Sequence, residues 1–250
     1  MIHFVGAGPG APDLITVRGK TLIERADVII YAGSLVNPQL LSYAREGCRV
    51  HNSAHLCLEE VIALMEEAEK AGLETVRLHT GDPSVYGAIR EQMDALDARG
   101  IAYDICPGVS SAFAAAASLG AEFTLPGVSQ TLIMTRMEGR TPVPPRESIE
   151  SLAVHRASMA IFLSVSMAGE LAQRLIAGGY PPQTRAAVVY RASWPDETVR
   201  RGTVAELGEL CRGIEKTAMI VVGDFLGDDY ELSKLYDKNF TTGYRKGGER

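Results

Sequence analysis

His79-Thr80-Gly81-Asp82-Pro83-Ser84-Val85-Tyr86-Gly87 decides how this chain is read. Before it stands Thr75-Val76-Arg77-Leu78, with the character of a short strand. After it, Ala88-Ile89-Arg90-Glu91-Gln92-Met93 has that of a helix. Gly81, Pro83 and Gly87 make the passage between them tight and stiff, because glycine tolerates left-handed backbone and proline fixes φ. Such a loop lies outside the carboxyl end of a strand, where open α/β sheets bind their ligands. An ordinary strand-to-helix turn would use the same residues, so the rest of the chain must agree before a function is named.

Working outward, Ile2 to Val5 reads as a first strand and Gly6-Ala7-Gly8-Pro9-Gly10-Ala11-Pro12 as the loop after it, with Asp13 as N-cap of a helix through Ile23. Asp27-Val28-Ile29-Ile30-Tyr31 is apolar throughout, as a parallel strand covered on both faces should be. Asn37-Pro38 opens another helix. Leu58 to Ala71 carries Val61, Leu64, Met65 and Ala68 on one helical face, and Gly72 ends it. Ala102 to Cys106 is a strand, and Pro107-Gly108-Val109-Ser110-Ser111 leads into an alanine-rich helix over 112–119.

Alternating strands and helices up to about residue 120 predict a parallel sheet. After that the pattern changes. Strands are expected at 129–135, 160–163, 186–190 and 218–222, helices at about 148–155, 167–178 and 203–212, and an Arg/Pro-rich loop over 136–147. Thr198 to Gly202 is expected as an antiparallel strand, giving this half a mixed sheet. The expected fold class is therefore α/β with two domains, 1–120 and 121–250, and a ligand between them. The second ends in a polar, loose tail from Leu226 to Arg250.

The 250 residues carry 25 Lys+Arg against 31 Asp+Glu, a net charge of −6, with no dense basic run before the tail. That argues against a nucleic-acid partner. No apolar run approaches the ~18 residues of a membrane span, and Met1 to Gly6 reads as a strand rather than a signal peptide. The four cysteines, Cys48, Cys57, Cys106 and Cys211, are widely spaced and read as reduced thiols of a cytoplasmic protein.

Gly6 to Ala11 fits a dinucleotide-binding glycine pattern, but Pro9 and Pro12 remove N–H donors where a pyrophosphate would need them. The acidic residue expected at the end of the second strand is also missing, since Tyr31-Ala32-Gly33 stands there. His51 and His55 are four apart, yet Asn52-Ser53 between them suggests a loop, and no metal site is expected. No Gly-x-Ser-x-Gly elbow occurs, and helix capping accounts for Ser110-Ser111 without chemistry. Arg136, Arg140 and Arg146 sit on the proline-stiffened loop, where arginines suit a polycarboxylate ligand; a solvated surface loop would look the same.

Gly6-Ala7-Gly8-Pro9-Gly10, then Gly81-Asp82-Pro83, then Pro107-Gly108-Val109-Ser110-Ser111, in that order and spacing, resemble the tetrapyrrole (uroporphyrinogen/corrin) methylase family. Tyr31 to Val36, His79 to Gly87, and Thr124-Leu125-Pro126 through Thr141-Pro142 sharpen the likeness toward members acting on corrin precursors. The resemblance implies a two-domain homodimer with S-adenosyl-L-methionine in the cleft, S-adenosyl-L-homocysteine as product and an anionic tetrapyrrole as substrate. By position it implies Pro9, Gly81, Asp82, Val85, Ser110, Ser111, Leu163, Ala192, Ala218 and Met219 as cofactor residues. Arg136, Arg140, Arg18 and Lys20 are the candidates for the substrate's carboxylates. The implied reaction is methyl transfer to an enamine-like ring carbon, which asks the protein to position two reactants and exclude water. Asp82, Tyr86, Tyr103 and Glu122 are candidates for a general base, with no catalytic residue singled out. A non-catalytic nucleotide-binding module and a diphthamide-type methylase are the rivals.

Overall fold

The computed structural model describes residues 1–248, so Glu249 and Arg250, the end of the polar tail, lie outside the described residues. The chain forms two compact units. The first is Met1–Ala115 with Arg191–Thr198; the second is Ala116–Tyr190 with the described residues from Val199 onward. The sequence expectation put a single division near residue 120; the observed one cuts α4 (Ser111–Leu119) and gives a distant segment, 191–198, to the first unit.

The first unit holds five strands, β1 (Ile2–Gly6), β2 (Val28–Tyr31), β3 (Arg49–Asn52), β4 (Thr75–His79) and β5 (Tyr103–Cys106), in the order β3-β2-β4-β1-β5. Every pairing is parallel. With α1 (Val17–Arg25), α2 (Leu58–Lys70) and α3 (Ile89–Asp97) between strands, the apolar runs become sheet centres buried from both sides. Phe4, Ile30, Met65 and Leu96 fill one face, while Val5, Ile29, Leu78 and Ile23 fill the other. Register then fixes the site. Gly6 pairs with His79 and Val5 with Cys106, so the loops after β1, β4 and β5 leave the sheet at one level.

The second unit holds β6 (Leu132–Arg136), β7 (Ser158–Phe162), β8 (Arg185–Tyr190), β9 (Thr198–Thr203) and β10 (Ala218–Val222), ordered β6-β7-β10-β8-β9. This sheet is mixed as expected, though the strand whose register runs against both neighbours is the central β10. β6 and β7 are parallel, and β9 takes the edge. α5 (Ile149–Ala153), α6 (Ala168–Ala177) and the single-turn α7 (Leu207–Leu210) cover it. α6 buries Ala168, Leu171, Ala172 and Leu175, the stripe of an amphipathic helix.

Three local expectations are corrected. Asp13 lies in a short 3-10 helix, Pro12–Leu14; α1 begins later and is capped by Thr16, whose hydroxyl accepts from the Gly19 N–H at 3.1 Å. The helix expected at Asn37-Pro38 is a 3-10 segment, Pro38–Tyr43, with Asn37 capping it. The loop expected around His51 is the strand β3, mostly exposed at the sheet edge and joined to β2 by backbone pairing. Among the described residues no helix is long and apolar enough to cross a membrane, and all four cysteines are unbridged.

Thr16→Ala should therefore cost about 1 kcal/mol of stability, the usual loss of a capping oxygen, whereas Asp13→Ala should change little. Urea denaturation of both variants checks the assignment, and the reverse ranking would contradict it.

Candidate functional site

The site starts from a crowding of backbones. The Gly8 N–H donates to the Gly81 carbonyl at 3.2 Å, and the Gly81 N–H to the Gly8 carbonyl at 2.8 Å. A Cβ on Gly108 would fall 2.1 Å from the Gly81 carbonyl oxygen, and one on Gly6 would fall 2.5 Å from the Gly108 Cα. Only hydrogens fit where the three loops meet. Gly81 also has φ +63°, a left-handed conformation that suits glycine. A Cβ there would stand 3.6 Å from the Ser111 nitrogen, which puts Ser110 and Ser111 beside it.

Asp82 ties the crossing together. One carboxylate oxygen accepts the Gly108 N–H at 2.8 Å; the other accepts the Ser84 N–H at 2.9 Å and the Ser84 hydroxyl. Burial pushes the carboxyl up, but the Ser84 hydroxyl and the N–H groups of Gly108 and Ser84 outweigh it and hold it below its ordinary value. A carboxylate so held is a brace and a weak base. Ser110 opens α4, its hydroxyl accepting the Ala112 N–H at 3.4 Å and its carbonyl the N–H groups of Phe113 and Ala114.

Next to Pro9, Gly10 approaches Ala192 in this unit, since the Ala192 carbonyl lies 3.0 Å from where a Gly10 Cβ would be. Val85 follows in the Asp82 loop, its N–H donating to the Asp82 carbonyl at 3.2 Å. Pro9, Gly81, Asp82, Val85, Ser110, Ser111 and Ala192 thus all sit on the first unit. On the second unit, Leu163 directly follows β7 at φ +53° with its side chain exposed, and Ala218 and Met219 open β10 opposite Tyr190 and Val189.

The electrostatics of the three loops are distinctive. Residues 6–12, 79–88 and 107–113 contain no Lys or Arg, and Asp82 is their one charged side chain. A pyrophosphate would find no counter-charge there. Beneath the crossing, His79 Nε2 and Thr80 Oγ1 are buried with no hydrogen-bond partner among the described residues. Burial, with help from the Arg77 guanidinium, pushes the His79 imidazole down to about 3, so it is neutral. Arg77 is itself buried, donating to Gln92 at 3.0 Å and to the Ile30 carbonyl at 3.2 Å.

The arginines divide. Arg136 spends its guanidinium on its own loop, donating to the carbonyls of Met137, Thr141 and Pro142 at 2.9–3.2 Å. Met137 is buried and anchors that loop through its N–H to the Ser164 hydroxyl at 2.9 Å. Arg140 is left exposed at the loop's tip. Arg18 is exposed on the first turn of α1, while Lys20 is paired with Glu24 and lies 5.0 Å over the Tyr43 ring. Of the base candidates, Tyr103 is pushed up by burial and by its bond to Asp97, and Glu122 is exposed and bonded by Thr124. Tyr86 is half exposed on the Asp82 loop, at φ +58°.

Residues 1–208 match the family model for tetrapyrrole (corrin/porphyrin) methylases. The chain belongs to the tetrapyrrole methylase family. It is 56% identical over 248 residues to a cobalt-precorrin-4 C(11)-methyltransferase of Methanocaldococcus jannaschii, covering 98% of this chain and 96% of that protein. It is 45% identical over 249 residues to a precorrin-4 C(11)-methyltransferase of Pseudomonas aeruginosa, covering 98% and 99%. Among solved structures, a cobalamin-biosynthetic cobalt precorrin-4 methyltransferase superposes with a TM-score of 0.88 at 45% identity, over 91% of this chain and 96% of the other. A uroporphyrin-III C-methyltransferase from Thermus thermophilus, complexed with S-adenosylhomocysteine, gives 0.76 at 26% identity, over 90% and 92%. In this tetrapyrrole methylase the three glycine loops are the first unit's contribution to the family motifs. The partnerless burial of His79 and Thr80, and the residues that hold Pro9-Gly10-Ala11, carried no sequence signal, because burial and long-range contacts are visible only after folding.

The buried neutral His79 predicts a pH dependence. The unfolded chain binds a proton near pH 6.5 that the folded chain refuses until about 3, so stability should fall as pH drops below 6.5. One such group contributes a slope of up to about 1.4 kcal/mol per pH unit. Urea titrations at pH 7 and 5 should show a smaller acid loss in His79→Gln than in the parent; an equal loss would contradict the assignment.

Proposed function

We propose that the protein transfers a methyl group from S-adenosyl-L-methionine to C11 of precorrin-4, giving precorrin-5 in cobalamin biosynthesis. The carrying observation is the braced, cation-free crossing of three glycine loops in a chain of this family. It suits a sulfonium donor better than a pyrophosphate. Bound there, the donor would supply a methyl group already activated for attack by a carbon nucleophile.

The residues fit such a ligand. Thr80 Oγ1 and His79 Nε2 are buried polar atoms lacking partners among the described residues, and residues 6–12, 79–88 and 107–113 are rich in glycine and small side chains. Pro9, Gly81, Asp82, Val85, Ser110, Ser111 and Ala192 are the proposed cofactor contacts on the first unit. Leu163, Ala218 and Met219 are proposed for the same ligand on the second. Asp82 acts mainly by keeping the loops in place, since its oxygens already hold three donors. Arg140 and Arg18 are the free guanidinium groups for the substrate's carboxylates, with Arg136 stiffening the loop that carries Arg140 and Lys20 turned to Glu24. Tyr86, half exposed on the Asp82 loop, is the proposed base candidate. Positioning and exclusion of water would provide most of the acceleration. A cytoplasmic homodimer with no nucleic-acid partner completes the reading.

A second reading takes the cobalt-containing form of the same substrate, favoured by the name of the 56% identical relative. Incubation with isotope-labelled donor and each form, read by product mass and spectrum, separates the two. A mass gain of one methylene unit, placed at C11, is expected with at least one form; no labelled product from either would refute the proposal. Arg140→Glu should raise the tetrapyrrole KM at least about tenfold, roughly 1.4 kcal/mol of lost charge-assisted bonding. Its affinity for S-adenosylhomocysteine should not change. Equal losses for both ligands would remove Arg140 from the substrate site.

A further inference from the structure

Residues 191–197 lie between β8 and β9, yet together with Thr198 they pack with the first unit. What they touch is the first glycine loop, one peptide after another. The Trp194 indole N–H donates to the Pro9 carbonyl at 3.2 Å, and the Ser193 hydroxyl accepts the Ala11 N–H at 2.9 Å. Between them, the Gly10 carbonyl accepts from the buried Asn37 amide at 2.8 Å. A Cβ on Gly10 would come within 2.0 Å of the Trp194 ring, so the indole fills the space that any other residue would claim.

The segment is itself held under tension. Arg191 and Ser193 are non-glycine residues at φ +51° and +69°, a conformation that costs on the order of 1–3 kcal/mol each. The Arg191 guanidinium lies 5.0 Å over the Trp194 ring and bonds Asp196, and the Ser193 N–H donates to Glu197. Strain of this kind persists where the surroundings over-determine the backbone, and it gathers at functional sites.

We propose that Trp194 is a positioning residue for the cofactor, and that 191–198 is a strap fixing Pro9-Gly10-Ala11 in its receiving shape. This rests on reading that site as the S-adenosylmethionine site. The strap holds the first loop at Pro9 and Ala11, while the Gly8–Gly81 bridge holds it at Gly8. Trp194 is the chain's one tryptophan. Its emission therefore reports on this loop alone.

The test uses Trp194→Phe, which keeps a ring against Gly10 but removes the donor to Pro9, and Ser193→Ala, which removes the acceptor for Ala11. Calorimetry with S-adenosylhomocysteine should show Kd raised about fivefold to tenfold in Trp194→Phe, one hydrogen bond's worth. The KM for S-adenosylmethionine should rise with it while the tetrapyrrole KM stays fixed, a split that general loosening would not give. Ser193→Ala should move in the same direction, and the ligand should shift Trp194 emission in the parent protein. Unchanged cofactor affinity in both variants, or parallel rises in both KM values, would overturn the strap while leaving the function intact. Failure of the parent to bind S-adenosylhomocysteine would overturn both.

Discussion

Everything in the first unit turns on how closely three backbones can approach. The loops after β1, β4 and β5 meet at Gly6, Gly81 and Gly108, and a methyl group on Gly108 would overlap the Gly81 carbonyl oxygen at 2.1 Å. The parallel register makes the meeting unavoidable, because Gly6 stands opposite His79 and Val5 opposite Cys106. Glycine's lack of a Cβ is therefore a steric requirement here, beyond its tolerance of positive φ. Asp82 converts contact into rigidity by bonding the loop after β5 with one oxygen and its own turn with the other.

Charge then selects the ligand. A glycine loop after a first strand is compatible with several cofactors, and shape alone does not separate them. In this chain the three loops hold no cation, and two prolines thin the donors of the first. Arg140 and Arg18 lie outside these loops, both exposed. Arg136 commits three of its five N–H donors to carbonyls of its own loop, which ties it to that loop's shape.

The sequence showed much of this, for physical reasons. Buried parallel strands such as Val28–Tyr31 announce themselves as apolar runs, and α2 and α6 by one-sided burial. β3 escaped because Arg49-Val50-His51-Asn52 is an exposed edge strand held by backbone pairing, which leaves no apolar pattern. Asp13 has the side chain of a cap, but it falls inside the 3-10 turn Pro12–Leu14, and Thr16 caps the helix instead. Trp194 and Ser193 lie more than 180 positions from the loop they hold, a pairing no local rule reaches. Even the three glycine loops were legible only as an ordered set, since each loop alone fits an ordinary turn.

The central claim is that the braced glycine crossing takes a sulfonium nucleoside and refuses a pyrophosphate. Calorimetric titration of the intact protein with S-adenosylhomocysteine and with NAD tests it most directly, repeated on Asp82→Asn. The account predicts saturable binding of S-adenosylhomocysteine, none of NAD, and weakened nucleoside binding once the Asp82 brace loses its charge. Saturable NAD binding, or S-adenosylhomocysteine affinity indifferent to Asp82, would contradict it.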